Sequence, residues 1–396
     1  MGKLIPEGYK QTEVGVIPAD WDISALGDLV KIRSGESPSC LKFAGKGFPY
    51  FKVDELNNSE KFAAKTKYFI SAADKLVPKG SLIFPKRGAS IFQNKIRILK
   101  NDSYMDTNLM TLTVSDSISN EYCYYQLNYI GLSKVADTTS VPQINNKHIK
   151  PFNIPFPLQL EEQQAIATAL SDVDNLITSL EQLIEKKKAI KQGAMQELLT
   201  GRRRLKGFGE GKRYKQTELG LIPEDWEIKS FGDVLSVKHG KSQKEVEIEN
   251  GKYPILATGG IIGWSNSYLA NTPSVLIGRK GTIDKPQYMD TPFWTVDTLF
   301  YTEINPSNCA KYLYYLFKLI PWYSYNEASG VPSLNATTIE KIRKAFPSTK
   351  REQEVISEAL TLIDSEIENL EAKVDKYKQI KQGMMQNLLT GRIRLV

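Results

Sequence analysis

The sequence predicts an α+β protein: two α/β heads separated by two long helices that form an antiparallel coiled coil, in a pseudo-two-fold internal repeat. Three observations carry this: two passages that occur twice, two stretches with a heptad seam, and short β-rich runs in the remaining blocks. The opening passage YKQTEVGVIPADWDISALGD, Tyr9 to Asp28, returns 205 positions later as YKQTELGLIPEDWEIKSFGD, Tyr214 to Asp233. The closing passage IKQGAMQELLTGRRRL, Ile190 to Leu205, returns 190 positions later as IKQGMMQNLLTGRIRL, Ile380 to Leu395. The blocks between them are largely unlike, and the second is 15 residues shorter. Constant passages that hold two different blocks suit recognition of two different things at a fixed separation.

The helices are read from their apolar spacing. Ile166, Leu170, Val173, Ile177, Leu180 and Ile184 alternate steps of four and three, as a heptad seam does. The second copy carries Ile356, Leu360, Ile363, Ile367, Leu370 and Val374 at the same phase. The seam continues through Lys187, Lys191, Ala194 and Leu198, and through Tyr377, Lys381, Met384 and Leu388. Prolines (Pro155 and Pro157, then Pro347) precede each helix, because they cannot sit in its interior. Gly201 and Gly391 end each one as C-caps, followed by Arg202, Arg203, Arg204 and by Arg392, Arg394. Roughly 40 residues at 1.5 Å each make a rod of about 60 Å. Matching seams point to pairing of the two helices; independent amphipathic helices, each lying on its own head, are the alternative.

The variable blocks read as α+β. SLIFPK (Ser81 to Lys86), SVLIGRKG (Ser274 to Gly281) and TLFYTEI (Thr298 to Ile304) are β-rich runs broken by Gly, Pro and Asn. A tyrosine-rich helical segment follows in each block, EYCYYQLNYI (Glu121 to Ile130) and KYLYYLFKLI (Lys311 to Ile320), with aromatics at the spacing of a core face. The Gly-rich GFGEGKR, Gly207 to Arg213, joins the halves. The chain divides into a first head over 1–158, a first long helix over 159–202, a linker over 203–213, a second head over 214–347 and a second long helix over 348–396.

Composition sets limits. A chain of 396 residues is long enough for two or three domains, each with its own core. MGKLIPEGYK has no apolar stretch and no long apolar run occurs elsewhere, so neither a secretory leader nor a membrane span is expected, and the location expected is cytoplasmic. Cys40, Cys123 and Cys309 are odd in number and far apart, and only His148 and His239 accompany them. Free thiols in a reducing compartment are the expectation, with no metal site. A net charge of +7 favours a polyanionic partner without identifying it.

Two matches to catalytic motifs fail. Gly240-Lys241-Ser242 resembles the end of a phosphate-binding loop, but Leu235 stands where the loop needs its first glycine. Asp290-Thr291-Pro292-Phe293 resembles the DPPF of amino-methyltransferases, but Thr291 breaks it and no glycine-rich donor loop lies upstream; a turn before a strand is the expectation. With no nucleophile elbow and no metal-spaced cluster either, the chain reads as non-catalytic. What recurs is basic loops at matching places. Arg33-Ser34-Gly35-Glu36-Ser37 matches Lys238-His239-Gly240-Lys241-Ser242, and Lys86-Arg87-Gly88-Ala89-Ser90 matches Arg279-Lys280-Gly281-Thr282. Arg and Lys pair with phosphates and guanine edges, and glycine lets a backbone come close. Each loop alone reads as a solvated turn; their recurrence makes Arg33, Ser34, Ser37, Lys86, Arg87, Ser90, Lys238, Lys241, Ser242, Arg279, Lys280 and Thr282 the candidate DNA contacts.

In this order the motifs resemble the specificity subunit of type I restriction-modification systems, over nearly the whole chain. They are the GxIPxxW openings (Gly15 to Trp21, Gly220 to Trp226), Ser34-Gly35, the Val-Pro segments at Val141 to Asn145 and Val331 to Asn335, Glu162-Gln163 and Glu352-Gln353, and the LLTG endings at Gly201 and Gly391. His239 replaces the serine before the turn glycine in the second half. The resemblance implies two target recognition domains, each reading half of a split, asymmetric double-stranded DNA site and held apart by the coiled coil. It also implies two docked methyltransferase subunits and added restriction (translocase-nuclease) subunits. S-adenosylmethionine, ATP and magnesium would belong to those partners, leaving no cofactor in this chain. The alternatives are a specificity subunit serving a fused methyltransferase-nuclease and a coiled-coil adaptor with two protein-binding heads.

Overall fold

The computed structural model describes residues 5–71, 76–138, 141–211 and 213–395; Lys212 of the linker and the side chain of Cys40 lie outside that description. The chain forms two compact units, Met1–Leu180 with Lys373–Val396, and Glu181–Ala372. Their boundaries fall inside the two long helices, Leu160–Leu199 and Lys350–Leu388. Each unit therefore combines an opening passage with the closing passage of the other copy.

In the first unit Tyr9–Thr12 and Gly15–Pro18 form a hairpin, and Trp21–Ala25 pairs antiparallel with Asn153–Pro157. A five-stranded sheet runs in the order Val30–Ser34, Leu109–Val114, Leu82–Pro85, Arg97–Leu99, Phe62–Ala63. A four-stranded sheet runs Tyr104–Met105, Phe48–Phe51, Phe69–Ile70, Phe43–Ala44. The helix Asn120–Ile130 buries Tyr122 and Tyr125 in the main core with Leu82, Phe84, Ile166 and Leu170. Leu388 and Leu389 of the second closing passage join that core. The tyrosines thus pack the interior, as their spacing indicates, and Cys123 beside them is fully buried, its thiol pushed up by burial to about 12.

The second unit repeats the plan. Tyr214–Thr217 pairs with Gly220–Pro223, and Glu227–Ser230 with Arg343–Phe346. One sheet runs Leu235–His239, Leu299–Ile304, Ser274–Gly278, Gln287–Met289; another runs Glu247–Ile248, Gly260–Ser265, Tyr253–Ala257, Trp294–Thr295. Tyr312 and Tyr315 of the helix Ala310–Lys318 pack with Trp226, Phe231, Ile356 and Leu360, and Met195, Leu198 and Leu199 of the first closing passage complete that core. Asp290 to Phe293 is a turn leading into the strand Trp294–Thr295, with Phe293 buried.

The duplicated passages are explained by what they hold together. Gly391 sits at φ +70°, and a Cβ there would lie 2.3 Å from Pro18 Cδ; Gly201, at φ +72°, would meet Pro223 Cδ at 2.6 Å. Only glycine allows this conformation and this approach to the IPxxW turn. Arg394 donates to Asp20 (2.9 Å) and Glu162 (2.7 Å), and Arg204 donates to Asp225 (2.9 Å) and Glu352 (2.7 Å). The hydrogen bonds to Glu162 and Asp20 raise the Arg394 pKa, and the same bond holds the Asp20 carboxyl below its usual value. Gln163 and Gln353 accept from the backbone N–H of Ser119 (2.7 Å) and Cys309 (2.8 Å), just before each tyrosine-rich helix. The Glu-Gln pair thus binds a closing passage with one residue and the head with the next.

Within each unit the helices carry matching polar contacts. Tyr125 donates to Asp174 at 2.8 Å, and Lys381 reaches the other oxygen of Asp174 at 2.5 Å. In the second unit Tyr315 donates to Asp364 at 2.8 Å, and Lys191 pairs with Asp364. Burial, then the neighbouring carboxylate, holds Tyr125 well above the usual tyrosine range, so it remains a donor. Lys187 pairs with Glu366 (2.6 Å) and Lys188 with Glu371 (3.0 Å). No helix among the described residues is long and apolar enough to cross a membrane.

Candidate nucleic-acid interface

Two loops of the first unit meet one backbone turn, and a third loop is tied to one of them. The strand Val30–Ser34 exits into Gly35, whose N–H donates to Leu109 O (3.2 Å), while Glu36 N–H donates to Met105 O (3.1 Å). A Cβ on Gly35 would lie 1.8 Å from Asp106 O, so the turn closes only over glycine. The strand Leu82–Pro85 exits into Lys86, whose N–H donates to Asn108 O (2.8 Å). Gly88 N–H then donates to Pro142 O (2.9 Å), and Ile144 N–H donates to Lys86 O (2.9 Å). The loops Arg33 to Ser37 and Lys86 to Ser90 are therefore held at the turn Asp106 to Asn108, and Val141 to Asn145 is held by the second of them.

The second unit builds the same arrangement from different residues. Lys241 N–H donates to Thr295 O (2.9 Å), and a Cβ on Gly240 would lie 2.0 Å from Val296 O. Arg279 N–H donates to Thr298 O (2.8 Å), Gly281 N–H to Pro332 O (2.9 Å), and Leu334 N–H to Arg279 O (2.9 Å). Gly88 and Gly281 have φ of +80° and +87°, a conformation glycine adopts without strain. Two divergent sequences thus hold a Lys/Arg pair at the same place by the same hydrogen bonds.

The candidate side chains divide by what they touch. Arg87, Lys241 and Lys280 are exposed, as are Ser34 and Ser242; Lys86, Arg279, Ser37, Ser90 and Thr282 are half-buried. Burial, then the neighbouring Arg87 charge, lowers the Lys86 pKa. Arg33 and Lys238 have partners inside the fold: Arg33 donates to Leu76 O (2.9 Å) and Lys238 pairs with Glu303 (3.2 Å). Ser37 hydrogen-bonds Ser39 (2.8 Å), and Ser90 donates to Arg87 O (3.2 Å). Arg279 donates to Asp297 O (3.2 Å), which steers its guanidinium along the turn.

Sequence reasoning missed that turn. Its hydrogen-bonded positions, Thr107-Asn108 and Asp297-Thr298, carry different residues in the two blocks, so the sequence leaves no shared signal there. Sequence reasoning used Val141 and Val331 only as family motifs and not as candidate contacts, although they stand 68% and 66% exposed beside the Lys/Arg loops. Among the described residues no group of His, Cys, Asp and Glu could hold a metal ion.

Residues 18–192 and 223–381 both match the type I restriction modification DNA specificity domain. The chain belongs to this family. Each matched stretch takes in one variable block and most of the following long helix. Among curated proteins, the chain is 27% identical to the type I restriction enzyme MjaVIII specificity subunit of Methanocaldococcus jannaschii, over 98% of this chain and 96% of that protein. It is 26% identical to the putative MjaX specificity subunit of the same organism, over 98% and 97%. The fold is similar to the crystal structure of the type I system S subunit from M. genitalium, with a TM-score of 0.61 at 18% identity over 93% of this chain and 96% of that one. A second similar chain, from a study of complex assembly and conformational transition of the type I system, has a TM-score of 0.58 at 15% identity over 95% and 99%. The chain is the specificity subunit, the DNA-recognising and non-catalytic component of a type I restriction-modification enzyme.

Proposed function

We propose that the two units read two different half-sites of one asymmetric, bipartite duplex sequence. What supports this is the arrangement built twice on divergent strands: a strand-exit loop and a Lys/Arg loop held against one turn, with a Val-Pro loop bonded to the Lys/Arg loop. The shared backbone frame suits the duplex backbone, which is alike at both half-sites. The differing side chains suit bases, which are not. The two long helices form an antiparallel coiled coil whose register is specified by the Tyr125–Asp174–Lys381 and Tyr315–Asp364–Lys191 clusters.

The partners in this reading are two methyltransferase subunits, with restriction subunits added to them. Gly193 and Gly383 support docking on the constant passages. Both lie inside a helix, where glycine costs about 1 kcal/mol relative to alanine, and a Cβ at either would meet nothing within 4 Å. No neighbour among the described residues requires them, whereas close approach of a partner helix would. S-adenosylmethionine, ATP and magnesium act on those partners, and the complex works in the cytoplasm.

Co-expression with the neighbouring methyltransferase and genome-wide mapping of methylated positions tests this reading. A split sequence with two unlike specified parts around an unspecified spacer is the expected result. Methylation without sequence preference, or no retained methyltransferase, would overturn it.

A further inference from the structure

The second unit carries an apolar hairpin that the arrangement shared by the two units does not explain. Its strands, Tyr253–Ala257 and Gly260–Ser265, meet through a turn in which Gly260 has φ +111°. Leu256 pairs with Ile261 and Ile255 with Gly263, so the register shifts and Ile262 is left without a partner. In a regular strand two successive isoleucines point to opposite faces. A bulge re-aims side chains, and here Ile261 and Ile262 are both exposed, at 56% and 48%. Trp264 on the same strand is also exposed, as is Ile248, its cross-strand neighbour. Large apolar groups gathered on one short hairpin mark a contact surface.

This hairpin belongs to a different sheet from the strands that exit into the basic loops, and hydrogen bonds tie it to those loops. Tyr253–Ala257 pairs in parallel with Trp294–Thr295, and Trp294 Nε1 donates to Lys241 O at 2.9 Å. Leu256 O accepts from Val296 N–H (3.0 Å), one residue before the Asp297-Thr298 turn that holds Arg279 and Lys280. Ala257 O accepts from Gln287 Nε2 (2.9 Å), which fixes the base of the turn. The first unit has the same parallel pair, Phe48–Phe51 with Tyr104–Met105, but that strand leads into the short turn Asp54–Asn58 and not into a hairpin.

We infer that Ile261, Ile262 and Trp264 are specificity-determining residues of the second unit, which enter a groove of duplex DNA and contact thymine methyl groups or the apolar faces of an opened base step. The neighbouring Lys241, Arg279 and Lys280 select DNA as the occupant, because they would hold phosphates on either side of the groove entered. Apolar wedges on basic surfaces read DNA in this way, by packing and by the cost of opening the step. The bulge is the device that turns two adjacent side chains to one contact. This inference rests on the reading of the chain as the DNA-recognition subunit and adds which residues of the second unit carry base preference.

The test uses the complex with the co-expressed methyltransferase, carrying Ile261→Ser with Ile262→Ser, or Trp264→Ala. These positions are exposed, so the fold is retained, and the first half-site serves as an internal control. Each variant should bind the wild-type site at least tenfold more weakly, relax sequence preference in the second half-site alone, and leave the salt dependence unchanged. Unchanged affinity and unchanged stringency at both half-sites overturn the inference while leaving the DNA reading standing. Loss of the methyltransferase from the variant alone assigns the hairpin to protein docking and also overturns it. If the wild-type complex shows no sequence preference, the underlying reading fails, and this inference with it.

Discussion

Replacing Arg204 with methionine should unfold the second unit far more readily than its surface position in sequence implies. Its side chain is 4% exposed and that of Glu352 is 2% exposed. Arg204 spans Glu352 with Nε (2.8 Å) and Nη2 (2.7 Å), and Asp225 with Nη1 (2.9 Å). Methionine keeps much of the packing volume but leaves the Glu352 carboxylate buried, with Trp226 Nε1 at 3.3 Å as a remaining donor. Removing one partner of a buried pair costs about 3–5 kcal/mol. With a urea slope of about 2–3 kcal/mol per molar for a domain of this size, the midpoint should fall by about 1–2.5 M. Hydrogen exchange resolved by peptide is the suitable assay, because each unit reports separately. Protection should be lost across Tyr214 to Asp233 and the start of the second long helix, while Tyr9 to Asp28 stays protected. Arg204→Met combined with Glu352→Leu should regain most of the loss, since an apolar replacement of both partners leaves no buried charge. Unchanged exchange in the single variant, or no recovery in the double, would refute this account of how closing and opening passages are joined.

Three further outcomes follow from the same structure. Lys86→Ala with Arg87→Ala, or Arg279→Ala with Lys280→Ala, should weaken DNA binding, lower the slope of log affinity against log salt by about 0.9 for each phosphate contact removed, and spare partner assembly; unchanged affinity in both would remove these loops from the interface. Gly391→Ala, placed at φ +70° against Pro18, should destabilise the first unit by about 1–3 kcal/mol, whereas Gly193→Ala should stabilise the isolated chain by about 0.5–1 kcal/mol yet weaken methyltransferase binding, as thermal unfolding and co-purification would show. A half-length chain, about Met1 to Gly207, should form a two-fold dimer in which each closing passage completes the partner's opening passage; a stable monomer by light scattering would contradict that.

The long helices were legible because their apolar period is a local property: Ile166, Leu170, Ile177 and Ile184 are buried, as are Ile356, Leu360, Ile367 and Val374. In the sequence that seam continues through Lys191 and Lys381, with no partner named for either. They pair with Asp364 and Asp174, which depends on helix direction and register, and neither can be read from one strand of sequence. The duplicated passages were equally plain, but not that Tyr9 donates to Gly391 O, because a contact across nearly the whole chain leaves no local trace. Among the candidate loops, charge and glycine placement were visible in sequence. That Arg33 donates to Leu76 O and that Lys238 pairs with Glu303 was not, because those partners lie far away in the sequence. The sequence does not single out Ile261 and Ile262, since a bulge is set by the register with Ile255 and Leu256 and not by the residues themselves.

The claim that each variable block reads its own half-site is tested most directly by exchanging a block. Leu29–Asn145 would replace Val234–Asn335, with all constant passages and both long helices kept, and the methylated sequences of the reconstituted complex would be mapped beside those of the wild type. The account predicts that the asymmetric site is replaced by two inverted copies of the first half-site around a spacer. Methylation that stays at the original asymmetric site would contradict it.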